Sequence, residues 1–129
     1  MSAPEVAPVV KELTQEQIGR YADAVGDHNP IHVDEAFARS TPFGGTIAHG
    51  MLVLASIAEM MAAAFGEAWI TGGRLHVRLR APARPGDTIT TRARSQSGNA
   101  KDALVYAVEC RNQNDELLIS GTAEVPSIG

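Results

Sequence analysis

The sequence predicts an α+β fold in one domain, with an antiparallel sheet curled around a single long helix, and three observations predict it. A nearly all-apolar helical stretch runs from Gly50 to Phe65, and four strand-like segments follow it in close succession. The length of 129 residues suits one domain spanning 1–129 that buries a core without covalent staples. Apolar residues at 44% and charged residues at 20% are ordinary globular values, which removes compositional support for disorder or a coiled coil.

The elements follow in order along the chain. "EVAPVV" is expected to add a short edge strand, since proline cannot donate to a ladder and is confined to edges. "TQEQ" is a capping box in which Thr14 and Gln17 exchange hydrogen bonds, so a helix starts there. Ile18, Tyr21, Ala22 and Val25 keep helical spacing before Gly26 ends it. Pro30 pushes Asn29 toward extended geometry and stops any continuation. A short helix is expected over Glu35 to Arg39, then "STPFGGT" reopens into a loop.

The Gly50–Phe65 helix closes at Gly66 and needs cover on most of its faces, with Ala55, Ala58 and Ala62 letting a sheet approach closely. "RLHVRLRA" comes next as a strand, placing Leu75, Val77, Leu79 and Ala81 on one face and Arg74, His76, Arg78 and Arg80 on the other. "PARPGD" is a turn, and "TITTRARS", "ALVYAVECRN" and "LLISGTAEV" are strands, the last two joined by a "QNDE" hairpin. In outline this is a hot-dog arrangement. So small a protein needs a second subunit to finish covering the helix, which makes a dimer the structural expectation.

Charge and composition exclude several classes of partner. A net charge of −4, with one Trp, two Tyr and three Phe, offers neither a basic footprint nor a stacking series for nucleic acid. The N-terminal "MSAPEVAPVVKELT" lacks the apolar run of a secretory signal, and Gly50–Phe65 is shorter than the about 20 residues a membrane span needs. Cys110 is the single cysteine, so no internal disulfide forms, and a reducing cytoplasmic setting is expected.

"GDHNPIHVD", Gly26 to Asp34, concentrates polar groups between two helical patterns. Asp and Asn commonly end helices and organise turns by bonding local backbone, which is the structural explanation. Metal binding is a second reading, because His28 and His32 are four apart, but Pro30 between them breaks the helical premise. The third is acid/base chemistry: Asp27 and His32 flank an Asn-Pro pivot from which carboxylate and imidazole can converge on one water. In "TIAHGM", Gly50 opens the apolar helix, where unsatisfied amides and the helix dipole favour developing negative charge. Gly50 there is either an oxyanion donor or simply the residue that lets the loop turn into the helix. His49 is a second polar group at that mouth, or a hydrogen-bonded core histidine.

"YADAVGDHNPIHVDEAFA" followed by "TPFGGTIAHGM" closely resembles the signature of the MaoC-like hydratases, also called hydratase 2 or (R)-specific enoyl-CoA hydratases. The match runs from Tyr21 to Met51, with a weaker continuation through "APARPGDTI". Val25 and Ala83 depart from the family's habits at positions that shape a pocket. The resemblance implies a dimeric hot-dog enzyme that acts on acyl thioesters without a metal or redox cofactor. It implies that Asp27 and His32 form the catalytic pair, that Asn29 helps arrange the site, and that the Gly50 amide binds the thioester oxygen. The implied reaction is hydration of a trans-2-enoyl-CoA to a (3R)-hydroxyacyl-CoA, and its reverse.

Three alternatives stay open. A dehydratase subunit could act on acyl-carrier-protein thioesters, with a partner chain completing a long acyl tunnel, so that a heterodimer stands beside the expected homodimer. A thioesterase on the same scaffold is disfavoured because the polar knot precedes the helix. A non-catalytic acyl-CoA-binding module would keep the fold alone. Between Arg74 and Arg94 six arginines face one aspartate, Asp87, which suits the phosphates of coenzyme A or else marks a solvated outer strand face.

Overall fold

The computed structural model describes residues 3–96 and 103–127. β1 (Val9–Glu12) leads into α1 (Gln15–Val25), then two short helices, α2 (Pro30–Val33) and α3 (Glu35–Arg39). The long α4 (Gly50–Phe65), a short α5 (Glu67–Gly72) and strands β2 (Arg74–Leu79), β3 (Thr88–Ser95), β4 (Ala103–Arg111) and β5 (Leu117–Pro126) complete the order. The strands form one antiparallel sheet in the order β1-β3-β4-β5-β2. None of the described helices is long and apolar enough to cross a membrane.

α4 lies against the inner face of this sheet and supplies the centre of the core. Ile57, Met60 and Met61 are buried in one cluster with Ile89, Tyr106, Val108 and Leu118. A polar pin crosses the same interface, where Ser56 Oγ lies 2.8 Å from Thr91 Oγ1 and 3.5 Å from Cys110 Sγ. The helix therefore meets the sheet through Val53, Ser56, Ile57, Met60 and Met61, not through the alanine stripe, of which Ala55 is exposed and Ala58 and Ala62 are half-buried. Large side chains gain more from burial than alanines do, and they set the helix's rotation.

Three further departures from expectation have local causes. The edge strand starts at Val9, beyond Pro8, because prolines at 4 and 8 cannot donate to the ladder with β3. Pro30 starts a turn of helix instead of only ending one: it occupies the first helical position, where a missing N–H costs nothing, and Asn29 caps it. After Gly66 (φ 58°) the chain makes one more short helix before the sheet, with Trp69 half-buried on the core. β2 is an edge strand, and Leu79 at its end is 57% exposed, so its apolar face is not fully covered by this chain.

Candidate active site

The site begins where α1 stops. Gly26 takes the left-handed conformation (φ 75°) that an L side chain rarely adopts, and the N–H groups of Gly26 and Asp27 both reach back to the Ala22 carbonyl, at 2.9 and 3.1 Å. The tight exit leaves Asp27 in the following turn, where its Oδ1 accepts from the Asn29 N–H at 3.2 Å. Asn29 Oδ1 accepts in turn from the Ile31 N–H at 3.0 Å, capping α2. This short helix then carries His32 in its last turn.

The loop that returns before α4 fixes the imidazole. The Ile47 N–H donates to the Ile31 carbonyl at 3.1 Å, and His32 Nδ1 lies 2.8 Å from the Ile47 carbonyl. A carbonyl only accepts, so Nδ1 carries the proton and Nε2 of the neutral ring is left with a free lone pair. That Nε2 is 4.0 Å from Asp27 Oδ2, with His32 mostly buried and Asp27 half-exposed. Two acceptors at this separation do not bond to each other; they face a gap that one water can span with both of its protons.

His49 closes the arrangement from behind. It is the residue before α4 and is 4% exposed. Its Nε2 lies 3.0 Å from the Asp27 carbonyl, and its ring stacks on His32 with centroids 3.8 Å apart and planes 23° from parallel. Tyr21 also packs against it, with ring centroids 4.9 Å apart and planes tilted by 60°. Its contacts are thus with Asp27, His32 and Tyr21, and its buried Nδ1 has no hydrogen-bond partner. Gly50 is the first residue of α4, and no acceptor among the described residues takes its N–H. A Cβ at Gly50 would come within 2.7 Å of Leu79 Cδ1, so glycine lets the Leu79 side chain pack onto the start of the helix.

One donor atom each from Asp27, His32 and His49 lies within 4.8 Å of the others, which raises a metal as an alternative occupant. The ring geometry argues against it. A metal sits in the plane of an imidazole, on the nitrogen lone pair, and two ring planes only 23° from parallel with centroids 3.8 Å apart do not meet close to both rings. The His28 and His32 pair is not formed either, because His28 turns away to Asp23, 2.7 Å from its Oδ1 at the surface.

Sequence reasoning missed the buttress under His32. Gln15 Nε2 donates to the His32 carbonyl at 2.9 Å, and Thr46 Oγ1 lies 2.7 Å from Gln15 Oε1 and 3.1 Å from Glu35 Oε2. The hydrogen bonds from the Thr46 N–H and hydroxyl hold the Glu35 carboxyl below its ordinary value. Gln15 and Glu35 read locally as first-turn residues of two different helices, so only their convergence on Thr46 reveals the link. The arginine-rich stretch divides: Arg84 Nη1 donates to the Phe43 carbonyl at 2.6 Å, and Arg80 Nε donates to Ser120 at 2.6 Å. Arg92 and Arg94, with Arg111, edge a groove of about 370 Å³ that shares no residue with the site.

A five-stranded sheet around one long helix, with a carboxylate and an imidazole facing each other beside its first turn, defines a hot-dog protein with an acid/base site. The chain belongs to the MaoC-like family, whose profile, described as "MaoC like domain", matches residues 4–116. It is similar to the 3-hydroxyacyl-thioester dehydratase Z of Mycobacterium tuberculosis, 33% identical over 117 residues that cover 88% of this chain and 72% of that protein. It is also similar to the (R)-specific enoyl-CoA hydratase of Rhodospirillum rubrum, 35% identical over 65% of this chain and 58% of that one. Among solved structures, the R-hydratase PhaJ1 of Pseudomonas aeruginosa superposes with a TM-score of 0.81 at 27% identity, covering 97% of this chain and 81% of that chain. The family places the chain among enzymes of the hydro-lyase class.

Proposed function

We propose that the protein catalyses reversible addition of water to a trans-2-enoyl-CoA, giving a (3R)-hydroxyacyl-CoA. The observation that carries this reading is the pair of acceptors, Asp27 Oδ2 and His32 Nε2, 4.0 Å apart at the helix mouth. They hold one water between them; its hydroxyl adds at C3, and a proton is delivered to C2. The Gly50 N–H, at the positive end of α4, takes the enolate-like charge that develops on the thioester oxygen, a contribution worth about 3 to 4 kcal/mol where such a donor has been removed from other enzymes. Asn29 keeps Asp27 and α2 in register through its N–H and its cap. This chemistry calls on no metal or redox cofactor.

The half-exposed Asp27 and the open edge of β2 motivate the rest of the proposal. We assign that edge to a second copy of the chain, which would extend the sheet and cover Leu79 and Met51, exposed at 57% and 59%. A cleft of about 320 Å³, with Leu13, Leu52, Val53 and Ile89 in its wall and the charged Lys11, Arg20 and Glu59 also lining it, offers room for an acyl tail beside Tyr21, one ring away from His49. An acyl-carrier-protein thioester is the second reading, motivated by 29% identity over 96% of this chain to the mitochondrial 3-hydroxyacyl-[acyl-carrier-protein] dehydratase of Arabidopsis thaliana.

The decisive experiment follows loss of the enoyl thioester absorbance with crotonyl-CoA, longer enoyl-CoAs and the carrier-protein thioester, with chiral analysis of the product. Turnover of enoyl-CoA to the (3R) product is expected. Binding of these thioesters without hydration would reduce the protein to a binding module, and a free thiol product would make it a thioesterase. Light scattering of the eluted protein is expected to give twice the chain mass.

A further inference from the structure

We propose that His49 is the positioning residue of the site, fixing the separation of Asp27 and His32, a role that rests on the acid/base reading above. Among the described residues it is the side chain seen to engage both: Nε2 lies 3.0 Å from the Asp27 main-chain carbonyl, and the ring stacks on His32 at 3.8 Å. Each of the two reacting side chains otherwise has its own anchor. Asp27 is held by the Asn29 N–H and by its own N–H to Ala22, and the His32 ring by the Ile47 carbonyl. Gln15 and the Asn29 main chain tie the His32 backbone to α1 and to Asp27, and His49 adds the side-chain contact that sets the His32 ring against them.

The tautomer follows from the partners. The Asp27 carbonyl requires a donor, so His49 carries its proton on Nε2. The remaining Nδ1 is then a lone pair, buried without a partner beside the first turn of α4, where the free amides of a helix start make an acceptor less costly than a second N–H. A buried nitrogen left unsatisfied in a native structure asks for a reason. The reason here is geometric: the ring is pinned by its other nitrogen and by two ring neighbours, Tyr21 and His32, and rotating it to satisfy Nδ1 would release Asp27.

Two substitutions separate the two contacts. His49→Phe keeps a ring under His32 and removes the donor to Asp27; His49→Gln keeps a donor and removes the ring. Each is expected to lower kcat for hydration by on the order of 10- to 100-fold, the effect of misplacing a reacting group by about an ångström, with KM within about threefold of the parent. Long-range proton–nitrogen spectra of the unsubstituted protein are expected to show His49 protonated on Nε2 and His32 on Nδ1, a readout that needs no variant to fold. The inference is overturned if both variants keep kcat within twofold while Asp27→Asn is inactive, or if His49 carries its proton on Nδ1. If Asp27→Asn and His32→Ala both retain turnover, the acid/base reading itself fails, whatever the spectra of His49 show.

Discussion

The interface between α4 and the sheet and the segment from Gly26 to Gly50 touch each other, yet they are held by different forces. The interface is closed and, apart from the Ser56–Thr91 pin, apolar: Ile57, Met61, Leu118 and Cys110 are fully buried. The segment holds its shape through hydrogen bonds to main-chain carbonyls, those of Ala22, Asp27, Asn29, Ile31 and Ile47, while Asp27, His28, Asn29 and Pro30 are exposed. Burial is non-directional and tolerates small shifts, whereas a hydrogen bond fixes an angle and a distance. The difference teaches that stability and chemistry are largely separable here, and substitutions in one region should leave the other's observable in place.

The largest effect expected is on turnover alone. Asp27→Asn or His32→Ala should lower kcat by roughly 100- to 10,000-fold, while thermal unfolding of Asp27→Asn stays close to the parent's, because that side chain is half-exposed, and His32→Ala also gives up its stacking on His49 and its bond to the Ile47 carbonyl. A large loss of melting temperature in Asp27→Asn would erase the distinction between the regions. Next, Ile57→Ala should cost about 2 to 5 kcal/mol in denaturant unfolding with KM unchanged at permissive temperature. Gly121→Ala belongs to the same class, since a Cβ there would meet the His76 carbonyl at 2.1 Å across the β5–β2 ladder, and strand pairing would have to give way.

A smaller effect concerns the buttress. The Glu35 carboxyl is held below its ordinary value of 4.5, chiefly by the Thr46 N–H and then by the Thr46 hydroxyl. Below that value the unfolded chain takes up the proton first, so the native state gains stability from this group at higher pH and loses it as pH falls through the depressed folded value. The stability difference between the parent and Glu35→Gln should therefore be fully present at neutral pH and shrink below pH 4.5. A difference that is constant from neutral to acid would remove the carboxylate from the buttress. Smallest is the behaviour of Cys110, whose thiol is pushed up mainly by burial. A thiol reagent should label it only as fast as the protein unfolds, and rapid labelling of native protein would mean that the core is looser than its packing implies.

Much of the fold was legible because its signals are local. Thr14 and Gln17 form the capping box, α3 spans Glu35–Arg39, α4 spans Gly50–Phe65, and the "QNDE" connection turns β4 into β5, each as its own residues dictate. The family motif likewise pointed to Asp27 and His32, and the structure brings them together. Local rules failed where one residue has two meanings. Pro30 breaks one helix and starts the next, and Gly66 ends α4 yet permits α5.

The sequence by itself determined the period of each element, the caps, and the crowding of polar groups into nine residues between helices. Only the tertiary structure decided that His49 would lie under His32 and that Gln15 and Glu35 would meet at Thr46. The physical reason is the range of the forces involved. Propensity, capping and periodicity act within a turn or two of chain, whereas hydrogen bonds between residues 22 or 31 positions apart exist only after the core has folded and brought their partners within reach.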